Sequence, residues 1–189
     1  MPRPQRYNTG VLLDAAAAIL ASDGPAGVTM SAVARATGAP SGSMYHRFPT
    51  RAALCGQLWL RTHERFHAGL MAALGGTTDR QDRCVAAARF TIEWCRNART
   101  DAQVLMVGAD ALGLVDWPQP AVRRYDAMRR EMDQALHALQ PPEDGERVTT
   151  AVIDVPYGLV RRHLLAGTPI PASAEDVVSD CARALVPRE

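Results

Sequence analysis

Between Thr29 and Thr50 the chain must start, stop and restart a helix within a few turns, and no other segment constrains the fold as tightly. Thr29 is a good N-cap for a short helix with Val33 and Ala34 inward, and Gly38 at its end can take the left-handed conformation that closes a helix. Pro40 suits the first position of the next helix, where its missing N–H costs nothing, and Met44 and Phe48, four apart, form that helix's buried face. Pro49 and Thr50 close it and cap the one after. Two short helices joined by a tight glycine-containing turn make a helix-turn-helix, a motif whose second helix can enter the major groove of DNA.

The inward pair fixes what faces out. With Met44 and Phe48 buried, Gly42 and His46 point outward, flanked by Ser43 and Tyr45. Gly42 would let the backbone approach a sugar-phosphate wall, Tyr45 and the serines Ser41 and Ser43 can bond phosphate oxygens, and His46 can meet a base edge or a phosphate. Arg51 opens the following helix, while Arg3 and Arg6 lie on a proline-containing arm before the first; these are the expected electrostatic anchors. Thr29 and Arg47 complete the candidate contacts.

Helical periodicity dominates the remainder and strands are hard to find, so the expected fold is all-α, with a three-helix DNA-binding domain over 1–50 and a helical body over 51–189. Residues 9–22 put Val11, Leu12, Ala15, Ala16, Ile19 and Leu20 on one face, and Asp23-Gly24-Pro25 supplies the stop. Residues 50 to about 74 read as one long helix that Gly75-Gly76-Thr77-Thr78 breaks. Helices follow over 79–97 and 101–114, then a break at "WPQP", then an amphipathic helix through Val122, Tyr125, Met128, Met132, Leu136 and Leu139. The final pair runs over 146–166 and 174–186, and Pro156 is expected to kink the first of them.

Charge is divided along the chain. The net charge of the 189 residues is +1, but residues 1–67 hold seven arginines against Asp14, Asp23 and Glu64, and the remainder holds fourteen against seventeen acids. A basic module therefore precedes a mildly acidic body. Every basic residue is arginine, which suits bidentate phosphate contact.

Several classes drop out. Cys55, Cys84, Cys95 and Cys181 are far apart with no C-x-x-C pair, which suggests neither a zinc site nor a disulfide framework and fits a reducing cytoplasm. Cys84 and Cys95 would share a helix face, but a redox sensor needs a lowered thiol pKa. The N-terminal run starts basic and turns apolar, yet Asp14 interrupts it, so it reads as a helix and not a leader; no stretch is apolar enough to span a membrane. An enzyme would need convergent polar groups, and Glu93, Asp110 and His163 are scattered with no nucleophile elbow, phosphate loop or metal spacing. No cofactor is expected.

From Val11 to Leu60 the chain resembles the N-terminal DNA-binding domain of the tetracycline-repressor (TetR) family of bacterial transcriptional regulators. The resemblance rests on Leu13-Asp14-Ala15-Ala16, the Gly24 break, Thr29-Met30, Val33-Ala34, the Gly38 turn, Gly42-Ser43-Met44-Tyr45, and Phe48 followed by Arg51 and Leu54. It departs where many members carry valine, serine and lysine: here Ala39, Pro40 and Ser41 remove one basic group, leaving Arg47 or Arg51 to supply it. The resemblance implies a homodimeric repressor on a near-palindromic operator, released when a small-molecule effector swings the fourth helix. It also implies a dimer bundle of the last two helices, with Val152, Val155, Leu159, Val177, Cys181 and Leu185 as the candidate interface. An effector pocket in the central helices would draw on Trp59, Phe66, Phe90, Trp94, Trp117 and Tyr125. The rival expectation is a protein-interaction adaptor whose helix-turn-helix no longer reads DNA.

Overall fold

The computed structural model describes residues 8–139 and 145–188. Among these the chain is helical, with no strand: α1 (Thr9–Gly27), α2 (Met30–Thr37), α3 (Ser41–Arg47), α4 (Arg51–Gly75), α5 (Arg80–Asn97), α6 (Arg99–Ala111), a 3₁₀ turn (Leu114–Asp116), α7 (Gln119–His137), α8 (Gly145–Thr149), α9 (Val155–Leu165) and α10 (Ala174–Leu185). No helix of the described residues is long and apolar enough to cross a membrane. The described residues fall into two compact units, residues 8–63 with 100–125 and residues 64–99 with 126–139 and 145–188.

In the first unit, short-range chemistry sets each helix end. The Asn8 side chain accepts from Val11 N at 2.9 Å and opens α1, which buries Leu12, Leu13, Ala16, Ala17 and Leu20 at helical spacing. α1 is broken at Gly24 (φ 73°, ψ −177°), where the sequence placed its stop, and a last turn containing Pro25 follows. Val28, Val33, Met44, Phe48, Leu54 and Leu58 are fully buried. Thr50 Oγ1 accepts from Ala53 N at 3.1 Å and caps α4 as expected. Further along α4, Arg61 donates to Asp14 at 2.8 Å and to Gly10 O at 3.3 Å, tying α4 back to α1.

The second unit is held by a longer-range core: Leu70, Leu74, Cys84, Ala87, Leu136, Leu139, Val148, Ala151, Val152, Ala182 and Val186 are buried together. Buried Gln81 donates to Arg183 O at 3.1 Å and Val186 O at 2.8 Å, satisfying carbonyls that the end of α10 leaves open. Glu175 at the start of α10 accepts from Arg89 at 2.9 Å and from Arg96, fastening α10 to α5. Pro156 sits at the start of α9, preceded by one π-helical turn over Thr150–Asp154 in which Val155 N donates to Thr150 O. The missing Pro156 N–H is accommodated by this change of helical register at the position where the sequence implied an irregularity.

Candidate nucleic-acid interface

The interface is built on α2, a turn and α3. Thr29 Oγ1 accepts from Ala32 N at 3.1 Å and lies 3.2 Å from Ser31 Oγ, so its hydroxyl is already engaged in capping α2. Gly38 closes α2 with φ 71° and ψ 17°, a left-handed turn that a Cβ would strain. Ala39 N donates to Ala34 O at 3.0 Å across it. Pro40 is extended and stands one position before the α3 helix, as its N-cap and not its first residue; its carbonyl accepts from Ser43 N at 2.9 Å.

α3 divides cleanly. Met44 and, just past α3, the extended C-cap residue Phe48 are 0% exposed, while Ser41, Gly42, Tyr45 and His46 are exposed and Ser43 and Arg47 half-buried. A Cβ at Gly42 would meet nothing within 4 Å, so no contact inside the chain demands glycine there. Between α2 and α3 lies a hollow of about 60 Å³ lined by Met30, Ser31, Ala34, Ser41, Met44 and Tyr45.

Arg51 and Arg47 both make hydrogen bonds within the chain. Arg51 turns its guanidinium back to the end of α1, donating through Nε to Val28 O at 2.7 Å and through Nη2 to Pro25 O at 2.6 Å. Carbonyls at a helix C-terminus attract such a cation, even where, as at Pro25, one already accepts from a backbone N–H. In this arrangement Arg51 is a staple between α1 and α4 rather than a free anchor. Arg47 donates to Ser43 Oγ at 2.6 Å and Ser43 O at 3.2 Å, one turn back on α3. Arg35, which the sequence reading passed over, is exposed on α2; helical spacing from Ser31 was the signal that could have found it. Arg3 and Arg6 lie outside the described residues.

The six aromatic residues expected to line an effector pocket fall into two clusters. In the first unit Trp59 meets Trp117 at 5.9 Å and Tyr125 at 5.2 Å between ring centroids, and stacks on His63 at 4.5 Å. Trp117 Nε1 donates to Leu112 O at 3.1 Å, whereas the buried Trp59 Nε1 has no acceptor among the described residues. The Trp117 ring lies against Gly56, 3.1 Å from where a Cβ would stand. In the second unit Phe66 meets Phe90 at 5.6 Å and Trp94 at 5.2 Å, and Phe90 packs so closely on Gly69 that any side chain there would collide with it. Nearby sequence reading missed His67, 8% exposed at its side chain and 2.9 Å from Glu131. The two residues flank an open groove of about 550 Å³ with Ala68, Met71, Gln134 and Ala135.

Of the residues expected at a dimer interface, Val152 is 1% exposed and belongs to the subunit's own core. Val155, Leu159, Cys181 and Leu185 are half-buried and Val177 is exposed. Tyr157 and Leu165 on α9 are exposed as well. Burial pushes the thiols of Cys55 and Cys84 up, and that of Cys95 up to about 12, which opposes the reactive thiolate a redox sensor needs. Among the described residues no group of three or more His, Cys, Asp or Glu side chains could hold a metal ion.

Comparison with known proteins bears on the whole architecture. The family described as bacterial regulatory proteins, tetR family, matches residues 12–58. A TetR-like transcriptional regulator from Rhodococcus sp. RHA1 is 18% identical, with 99% of each chain covered and a TM-score of 0.72. A member of the TetR family from Streptomyces coelicolor A3 is 27% identical over 97% of this chain and 99% of its own, with a TM-score of 0.70. The transcriptional regulator FadR from Bacillus subtilis, solved in complex with stearoyl-CoA, is 12% identical over 95% and 98%, with a TM-score of 0.72. No curated protein matches the chain.

Proposed function

We propose, on the premise that this chain is a TetR-family transcriptional regulator, that it is a homodimeric repressor that leaves a near-palindromic operator when a small molecule binds. The observation that carries the reading is the division of α3: an inner face closed by Met44 and Phe48, and an outer face of Ser41, Gly42, Tyr45 and His46 with no partner demand inside the chain at Gly42. Hydroxyls, an imidazole and a bare backbone suit a groove wall of phosphates and base edges. Thr29, Ser43 and Arg47 border that face, and Arg3 and Arg6 precede it in sequence.

Dimerisation follows from α9 and α10, where Tyr157, Leu165 and Val177 leave apolar side chains in water. Val155 and Leu159, four apart on α9, and Cys181 and Leu185, at helical spacing from Val177 on α10, are half-buried, and a second copy of the chain would cover them. Twofold symmetry then presents two α3 helices to successive major grooves. The effector has an apolar or aromatic body, received by Trp59–Trp117–Tyr125 in the first unit or by Phe66–Phe90–Trp94 in the second. The stearoyl-CoA held by the Bacillus subtilis relative is that protein's ligand, and it supports only that this fold admits such bodies. Release requires the effector to prefer the conformation that does not bind DNA. The protein works in the cytoplasm, by binding and without catalysis.

Selection of duplexes from a random pool by the purified protein tests this. Enrichment of a sequence with twofold symmetry, bound by two chains per site, is the expected result. Recovery of no preferred sequence would leave the adaptor reading in its place.

A further inference from the structure

We infer that Arg35 is the cation through which this regulator grips the phosphate backbone beside its recognition helix; the inference rests on the DNA-binding reading above. Residues 8–63 hold four arginines: Arg35, Arg47, Arg51 and Arg61. Three are engaged within the chain: Arg61 on Asp14 and Gly10 O, Arg51 on the carbonyls of Pro25 and Val28, and Arg47 on Ser43. Arg35 is exposed and makes no hydrogen bond or ion pair with the described residues.

Its position on α2 points the same way. Val33 is buried on that helix, with Met30 and Thr37 half-buried at helical spacing from it, and the Thr37 hydroxyl donates back to Val33 O at 2.8 Å. Ser31 and Arg35, four apart, share the opposite, exposed face. Ser31 borders the hollow that Ser41 and Tyr45 border from α3, so the face carrying Arg35 runs into the outer face of the recognition helix. When the second helix of such a motif lies in the major groove, the first crosses the sugar-phosphate backbone. A guanidinium on that crossing helix, with no partner to give up, meets a phosphate bidentately. The residue compensates for the basic group that Ser41 leaves out of α3.

The test is a salt titration of full-length protein binding to a fluorescently labelled random-sequence duplex and to the duplex recovered by selection. Neutralising one phosphate contact removes about one unit from the slope of log affinity against log salt. Arg35→Gln is expected to lose that unit on both duplexes with an unchanged melting temperature, and Arg35→Lys to keep it. Arg51→Gln is expected to keep the slope and melt earlier. A wild-type slope in Arg35→Gln, or loss of the unit in Arg51→Gln instead, overturns the inference while leaving the DNA-binding reading intact. Wild-type protein that binds neither duplex at low salt overturns both.

Discussion

α3 in the first unit and the α9–α10 pair in the second each bury one face and leave the other open, and the open faces differ in kind. That of α3 carries Ser41, Gly42, Tyr45 and His46, whereas α9 and α10 expose Tyr157, Leu165 and Val177 among Arg161, Arg162, Asp176 and Asp180. The first offers donors and a bare backbone, which a polyanion can use and an apolar surface cannot. The second offers side chains that lose nothing polar when covered by another protein surface. Each helix is held by means suited to its length. α3 is seven residues long, too short to persist alone, and depends on Phe48 and Met44; α10 is clamped at its start by Glu175 and at its end by Gln81.

The inner face of α3 depends most on Phe48. Phe48→Ala empties a fully buried site and should lower the unfolding free energy by about 3 to 5 kcal/mol, read by urea denaturation. A loss below about 1 kcal/mol would mean that α3 is held by something other than its inner face. Next comes the clamp on α10. Glu175→Gln keeps the shape but removes the charge that Arg89 and Arg96 share, for an expected cost of about 1 to 3 kcal/mol. Arg89 is nearly half exposed, so the lower end of that range is expected, and added salt should shrink the effect.

A smaller effect sharpens the picture of the second unit. Burial raises the Cys95 thiol from 9.0 to about 12, so in that window the unfolded chain is deprotonated while the native one is not. Stability contributed by the neutral thiol is therefore complete below pH 9 and falls as pH rises toward 12. Between pH 9 and 10 the wild type should lose about 1 kcal/mol relative to Cys95→Ala in denaturant titrations. Parallel pH profiles for the two proteins would show that Cys95 titrates as an exposed thiol.

Local chemistry explains what could be read in advance. Thr29, Gly38 and the Met44–Phe48 pair act within a turn or two of themselves, so their roles as cap, left-handed stop and inner face stand in the structure as the sequence implies. Arg51 could not be read this way. Its partners lie 23 and 26 residues earlier, at the carbonyls of Val28 and Pro25 just past the break of α1 at Gly24. Pro156 announced an irregularity but not that it would be a π turn, whose register is set by Val155 N bonding to Thr150 O. The aromatic residues showed helical spacing, but spacing says nothing about which neighbours a ring meets. Their division into two clusters, seated against Gly56 and Gly69, came from packing between distant segments.

The smallest expected change in stability belongs to Tyr45→Ala, since Tyr45 is 57% exposed and its removal should shift the unfolding free energy by no more than about 0.5 kcal/mol. The same variant shows whether the outer face of α3 meets DNA, through its affinity for the selected operator measured by fluorescence anisotropy at fixed salt. A loss of operator affinity of about tenfold or more, with an unchanged melting temperature, is the outcome predicted for a residue on a DNA-reading face. Wild-type affinity in a normally folded Tyr45→Ala protein would mean that the outer face of α3 is not what meets DNA.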